Sequence, residues 1–405
     1  MHTRPKFFQH LKRRFVIFEA MILAVILTLT ATVNLNAQSG TCGGQTFPQI
    51  FSDVPGTDAY FCYIAEIYFL GVTSGCGGGQ YCPGTAVTRN AMAVFLDRVH
   101  DSALKRGSRR AALDQFWTLN TGNLKQTTVG NRPQLLKSDG TDVWVANYAD
   151  GTVSRVRTSD GSVSQTWTGA TNATGVLVAL GYIFVTGQSN PNGSLYQIDP
   201  SAASGGAVTV VTSSLGANPQ GIAFDGTRIW TANTGGSVSF VTLNPTSVTT
   251  VSTGFSQPAG MIFDGSNIWV TDKGDNTIKK LDSSGNILQS VSVGTTPQFP
   301  AFDGTNIWVP NATSASVSII RPSDGVPLET LTGNGLNNPR MAAFDGQRIL
   351  VTNANDTVSL FKAADLTNIS NPPTISGTTP FAVCSDGVNF WLTGTAASAN
   401  KVTRF

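Results

Sequence analysis

Histidine is almost missing from this chain, and glutamate is missing from most of it. Only His2, His10 and His100 occur among the 405 residues, and Glu329 is the sole glutamate after residue 66. From residue 101 onward no imidazole is present to act as a base, to complete a Ser-His-Asp triad or to build a histidine metal cluster. Charged residues make up 12% of the chain, a balance typical of turn-rich β proteins rather than of helical enzymes. The formal charge of +2 misleads. Five of the bases (Arg4, Lys6, Lys12, Arg13, Arg14) and one acid (Glu19) lie in the first 37 positions, leaving 21 bases against 23 acids. That remainder offers no basic groove, so no nucleic-acid partner is expected. No calcium-loop spacing surrounds Asp272 or Asp275, and neither a metal nor a cofactor is expected.

What is present begins with a leader. The cationic "RPKFFQHLKRRF" precedes an apolar run from Ala20 to Ala31, and "LNAQ" offers cleavage after Ala37. Residues 1–37 therefore read as an export signal. Glu19 leaves the apolar stretch short of the roughly 20 residues a span needs, so no membrane span is expected after cleavage. Cys42, Cys62, Cys76 and Cys82 crowd the first part of the mature chain, and Cys384 stands alone near the end. "GCGGGQYCP" suits a small disulfide-closed loop, because three glycines let the backbone fold tightly. Zinc would want a second CxxC, which "TCGG" and Cys62 do not supply, so these four cysteines are disulfide candidates in an exported protein.

Most of the chain is one phrase said seven times. Gly140, Gly181, Gly226, Gly265, Gly304, Gly346 and Gly387 stand 41, 45, 39, 39, 42 and 41 residues apart. Most are preceded by Asp and followed by an apolar triplet with an aromatic centre, such as "VWV", "IFV", "IWT" and "IWV". A proline turn precedes most copies ("RPQ", "NPQG", "QPAG", "NPR"). One copy reads as four short strands, "GIAF", "IWTAN", "SVSFVTL" and "VTTVS", separated by turn residues. The Asp-Gly pair makes the tight hairpin between the first two, because Gly accepts φ > 0 freely and Asp tolerates it.

Four strands every ~40 residues predict a seven-bladed β-propeller over 116–405, mainly β, after a small helical module at 38–100 and a linker at 101–115. Consecutive apolar residues in "IWV" and "GIAF" fit strands covered on both faces. Trp144, Trp230, Trp269, Trp308 and Trp391 are accordingly expected in inter-blade packing. The last copy ends at "NKVTRF" after three strands. "GNLKQTTVG" at 122–130 resembles the missing fourth, so the N-terminal segment is expected to close the ring.

The phrases "WVAN", "WTAN", "WVTD" and "LVTN" resemble the YVTN repeats of surface-layer propellers, and more loosely the NHL and virginiamycin B lyase propellers. This resemblance implies a binding platform and adds no catalytic residue; the lyases rely on a histidine that this propeller lacks. Upstream, two helices are expected. "TDAYFCYIAEIYFLGV" spaces Tyr60, Ile64, Ile67 and Leu70 helically, and Thr88 offers an N-cap before Met92. "FSDVP" at 51, "GVTSG" at 71, "YCP" at 81 and "VTR" at 87 resemble a single S-layer homology module, a family that fastens exported proteins to cell-wall polysaccharide. Its "TRAE" motif reads Thr88-Arg89-Asn90-Ala91 here, without the acid. Arg89 is placed either to meet an anionic glycan or simply in the first turn of a solvated helix.

The turn aspartates (Asp139, Asp225, Asp264, Asp303, Asp345, Asp386) are explained by turn geometry. Cys384 aligns with Ala223, Ile262, Ala301 and Ala343 at a buried inner-strand position and reads as an inert thiol. A binding site is expected where loops converge on the axis. The turns before the first strands hold Arg132, Gln134, Gln220, Gln298 and Arg340; those after the second strands hold Asn147, Asn233, Asp272, Asn311 and Asn353. Such an amide-rich ring suits a neutral polar ligand, a glycan or a peptide backbone; the asparagines also suit turn capping. The expected function is an exported, surface-associated binding or structural protein whose partner is an envelope glycan or another surface protein. The alternative is a secreted lyase or glycan hydrolase using aspartates at the central mouth.

Overall fold

The computed structural model describes residues 39–42, 45–69, 73–88, 91–92, 95–96, 125–202, 206–370, 379–394 and 400–404. The expected leader, the linker at 101–115 and Arg89 lie outside the described residues. The chain divides into two units, Met1–Ser102 and Ala103–Phe405.

In the first unit β1 (Ser39–Cys42) pairs antiparallel with β2 (Gln45–Pro48), and α1 spans Phe61–Phe69. The helical face differs from the expected one. Phe61, Ile64 and Ala65 are buried, whereas Tyr60 is 68% exposed. The reason is where the helix starts: the Asp58 carboxylate accepts from Tyr60 N at 2.7 Å, so Tyr60 precedes the helix and the apolar stripe is turned by one position. Asp53 of "FSDVP" accepts from the amides of Tyr81 and Cys82, both at 2.7 Å, and so holds the loop closed by the Cys76–Cys82 disulfide. Cys62 is also disulfide-bonded, while the side chain of Cys42 lies outside the described residues. Thr88 caps as expected, its hydroxyl accepting from Ala91 N at 3.1 Å.

The second unit is a seven-bladed propeller of four-stranded antiparallel blades. Blade one holds β4 (Pro133–Ser138), β5 (Asp142–Asn147), β6 (Thr152–Arg157) and β7 (Val163–Thr168). Blade three, the copy drafted above, holds β12 (Pro219–Phe224), β13 (Ile229–Asn233), β14 (Ser237–Leu243) and β15 (Thr246–Val251). In blade seven β28 (Pro380–Ser385), β29 (Phe390–Gly394) and β30 (Lys401–Arg404) are completed by β3 (Lys125–Thr128), with Thr127 opposite Val402. The expected ring closure is thus present, and no blade is left with a missing strand.

Five of the seven blades are pinned by a device between the Asp-Gly turn and a tryptophan. One carboxylate oxygen of Asp264 accepts from the amides of Ser266 and Asn267, and the other accepts from Trp269 Nε1 at 2.7 Å. The same indole bond joins Asp139 to Trp144, Asp225 to Trp230, Asp303 to Trp308 and Asp386 to Trp391. Gly265 follows at φ 96°, where a side chain would be strained. All five tryptophans are fully buried. Each packs across a blade boundary: Trp144 meets Ile183 and Val185 of blade two, and Trp308 meets Ile349 and Val351 of blade six. The aspartates therefore do more than shape turns. They satisfy the one polar atom that burying an indole would otherwise orphan.

Candidate functional site

The first strand of every blade lines a central channel of about 500 Å³. In every blade but the second these strands run from a proline turn at one end to the Asp-Gly hairpin at the other. Register sets Pro133 opposite Asn147, Pro219 opposite Asn233 and Pro339 opposite Asn353, so proline turns and second-strand ends share one end, the mouth.

The mouth is built by one repeated backbone motif. The residue preceding the first strand adopts a left-handed conformation, at φ 54° for Arg132, 55° for Asn218, 60° for Thr296 and 47° for Asn338. In most blades its carbonyl accepts from the amide just past the second strand: Arg132 from Tyr148, Asn218 from Thr234, Gln257 from Lys273, Thr296 from Ala312. Each rim residue is fixed to its neighbouring turn, and side chains project from a rigid frame.

Half of the expected ring does not face this mouth. Asn147, Asn233, Asn311 and Asn353 are fully buried, and each amide donates to two hydroxyls of its own blade's third strand or the turn before it. In Asn233 these are Ser237 at 3.1 Å and Ser239 at 2.9 Å. Asp272 occupies the same position in blade four, and there the hydroxyl is replaced by Lys279, whose ammonium bonds Asp272 and Asp275 at 2.7 and 2.5 Å. Burial alone would raise the Asp272 carboxyl; the Lys279 bond and the amides of Gln257 and Ser256 outweigh it and hold it below the usual range. These five residues tie the second strand of their blades to the third or to the turn between, and Asn147 Oδ1 and Asn311 Oδ1 stay buried without a hydrogen-bond partner. Their capping role is the one the structure supports.

The remaining expected residues do reach the rim. Arg132 is exposed, with its guanidinium 4.6 Å over the Tyr148 ring. Gln220, Gln298 and Arg340 are half-buried, and Gln134 is 9% exposed. Gln220 Oε1 and Arg340 Nε are buried without a hydrogen-bond partner. Two rim residues were not foreseen, Tyr148 and Lys273. A usable signal existed: each directly follows the capping Asn or Asp of its repeat, the position the rigid frame turns outward.

Beneath the rim, the inner strands of blades five and six draw together. Phe299 N donates to Arg340 O at 3.0 Å and Ala342 N to Phe299 O at 3.1 Å. Phe299 and Phe381 meet edge to face with centroids 5.8 Å apart, and Met341 packs with them, giving the mouth an apolar floor. Close approach also explains Gly221 and Gly260, where an added Cβ would fall 2.4 Å from Ala259 O and 2.6 Å from Pro300 Cδ. Cys384 lies in the channel wall, where burial pushes its thiol up to about 12, so it is an unreactive group.

The turn aspartates lie at the far end from the mouth and are bonded to indoles or, for Asp345, to Arg348 at 2.7 Å. The turn aspartates thus lie away from the mouth and Asp272 is salt-bridged, while the aspartates at the mouth end are held in local bonds: Asp150 accepts from Asn131 N at 2.7 Å, Asp275 pairs with Lys279 and Asp356 accepts from Thr379 N at 2.6 Å. Among the described residues no cluster of three or more His, Cys, Asp or Glu is placed to hold a metal ion, and no helix is long and apolar enough to cross a membrane.

No protein-family profile matches the sequence, and no curated protein matches it. Solved structures do match. A streptogramin B lyase aligns with a TM-score of 0.59 at 16% identity, over 70% of this chain and 96% of its own. A catalytically inactive virginiamycin B lyase from Staphylococcus aureus with quinupristin gives the same TM-score and identity over 70% and 98%. The WD40 β-propeller domain of Doa1 gives 0.55 at 15%, over 69% and 94%. At such identity the likeness shows the propeller fold and nothing finer.

Proposed function

We propose that this protein is an exported, envelope-associated binding protein, attached through its N-terminal unit and presenting the propeller mouth to a ligand. The observation that carries this reading is the state of the rim: Gln220 Oε1 and Arg340 Nε are buried and unpartnered at an end where the backbone is rigid and the floor apolar. A preformed concave site with a few unsatisfied polar groups is what ligand recognition uses. The committed turn aspartates favour binding over acid-base chemistry. The lyases among the structural neighbours share the fold, and their activity is not carried to this chain.

Export is supported by the Cys76–Cys82 disulfide together with the leader-like first 37 residues. Attachment is supported by the S-layer-like phrases, whose Asp53 and Thr88 carry the local bonds described above. The test is a glycan array probed with the mature protein, coupled to co-sedimentation with purified cell envelope. Retention by envelope and a defined set of glycans is the expected result. A protein that stays in the supernatant and lights no glycan would end the reading.

A further inference from the structure

Two cations at the mouth lack any carboxylate partner among the described residues. Lys273, just past the second strand of blade four, holds its ammonium 5.7 Å from the ring centroid of Phe299 in blade five. Arg340, in the first strand of blade six, holds its guanidinium 5.7 Å from the ring of Phe381 in blade seven. Since those two rings touch, both cations stand over one aromatic pair. Arg155, Arg228, Lys279, Arg321 and Arg348 each bond a carboxylate, and Lys280, Lys401 and Arg404 each donate to a carbonyl or amide oxygen, whereas Lys273 and Arg340 meet across one aromatic pair. Lys273 and Arg340 instead repel one another, and burial first, then Arg340, push the Lys273 ammonium down to about 8. Burial likewise lowers the Arg340 guanidinium. Like charges held together at a poorly hydrated site are unfavourable unless an anion completes them.

We propose that the mouth binds the carboxylate of an acidic saccharide, with Lys273 and Arg340 as its charge contacts and the half-buried Phe381, backed by the buried Phe299, as the apolar floor. This rests on the binding-platform reading above and names its ligand class. The planar guanidinium fork suits a carboxylate. A saccharide is favoured over an acidic peptide because the same rim offers Gln220 Oε1 as a buried acceptor in want of a donor, and Gln298 Nε2 with only a 3.4 Å bond to Thr296 O. Sugar hydroxyls supply the missing partners, and sugar C–H faces lie on aromatic rings.

The full mature chain is titrated calorimetrically with three probes: a galacturonic acid trisaccharide, a neutral galactose trisaccharide and a glutamate-rich peptide. Saturable, salt-sensitive binding of the uronate is expected, at least tenfold tighter than the neutral sugar. Arg340→Gln and Lys273→Met each reduce it about tenfold, the loss of one charged contact worth about 1.4 kcal/mol. Since neither residue bonds a carboxylate among the described residues, neither variant is expected to melt below wild type without ligand, and the uronate raises the melting temperature more in the wild type than in either variant. Equal binding of neutral and acidic sugars overturns the anion assignment while leaving the platform intact. Binding of the peptide alone overturns the saccharide. Binding of none of the three overturns this proposal, and the envelope co-sedimentation then decides the broader one.

Discussion

The pairing of aspartate with tryptophan five positions later is a rule the chain keeps even in its exceptions. Blade two has neither, with Leu180 at the turn and Phe184 in the strand; blade six has Asp345 but Leu350, and Arg348 takes the carboxylate instead. The two residues therefore answer to each other, not only to the turn. Replacing Asp264 by Ala strips a buried indole of its charged acceptor and uncaps two amides, so a loss of about 2–3 kcal/mol in denaturant unfolding is expected. Much of that should vanish when the change is made in a Trp269→Phe background, and a strictly additive double-mutant cycle would refute the coupling. The tryptophans were legible as core because they recur in apolar triplets. The second-strand asparagines fitted both a ligand contact and a turn cap, because a polar residue near a predicted mouth reads the same whether it turns outward or inward. What decides it is the Ser or Thr four to seven positions later, which catches the amide. Lys273 has its own signature. Its folded-state value of about 8 lies below the ordinary 10.5, so its charge opposes folding below pH 8, and that penalty fades as pH rises from 8 toward 10.5. Arg340 is the charge acting on it, while Asp272, next in chain, is taken by Lys279. Lys273→Met should thus be more stable than wild type at pH 7, with the advantage closing by pH 10 in paired melts.

Strands were the most legible feature, because a phrase repeated seven times lets every copy vote on its boundaries. The drafted "IWTAN" and "SVSFVTL" coincide with the strands observed. The helix at Phe61–Phe69 was placed correctly but its face was not, since a short helix carries too few residues to fix its own rotation and its start depends on a side-chain cap. Between blades, strands are joined by a recurring threonine. Thr271 donates to Gln298 O at 2.7 Å, Thr352 to Phe381 O at 2.8 Å, and Thr393 to Gln134 O at 2.7 Å, the last spanning the join between blade seven and blade one. The same join is made on its outer side by β3. Thr127→Pro removes an amide from that pairing and inserts a ring opposite Val402. A fall in melting temperature of several degrees, with new aggregation from the freed edge of β30, is expected by calorimetry and light scattering. An unchanged melt would mean that the Thr393 bond and the Trp391 packing hold the ring alone.

Repeat arrays that stay open unfold from their ends, because each unit touches only its neighbours. Here the ends are sewn together, since the outermost strand of blade seven comes from the segment preceding blade one. No terminal blade exists from which unravelling starts, so the propeller is expected to open as one cooperative body. Cys384 reports on this directly. Among the described residues it is the one free cysteine, it is buried in the inner strand of the closing blade, and its thiol sits at about 12. In the native ring it should resist alkylation at pH 8. Along a denaturant series, the fraction labelled in a brief pulse should rise on the same curve as the loss of tryptophan fluorescence, which averages indoles from blades one, three, four, five and seven. Labelling that runs ahead of the fluorescence would place a partial opening at the seam between blades seven and one, and would show that the closing strand joins the ring without binding its stability into one transition.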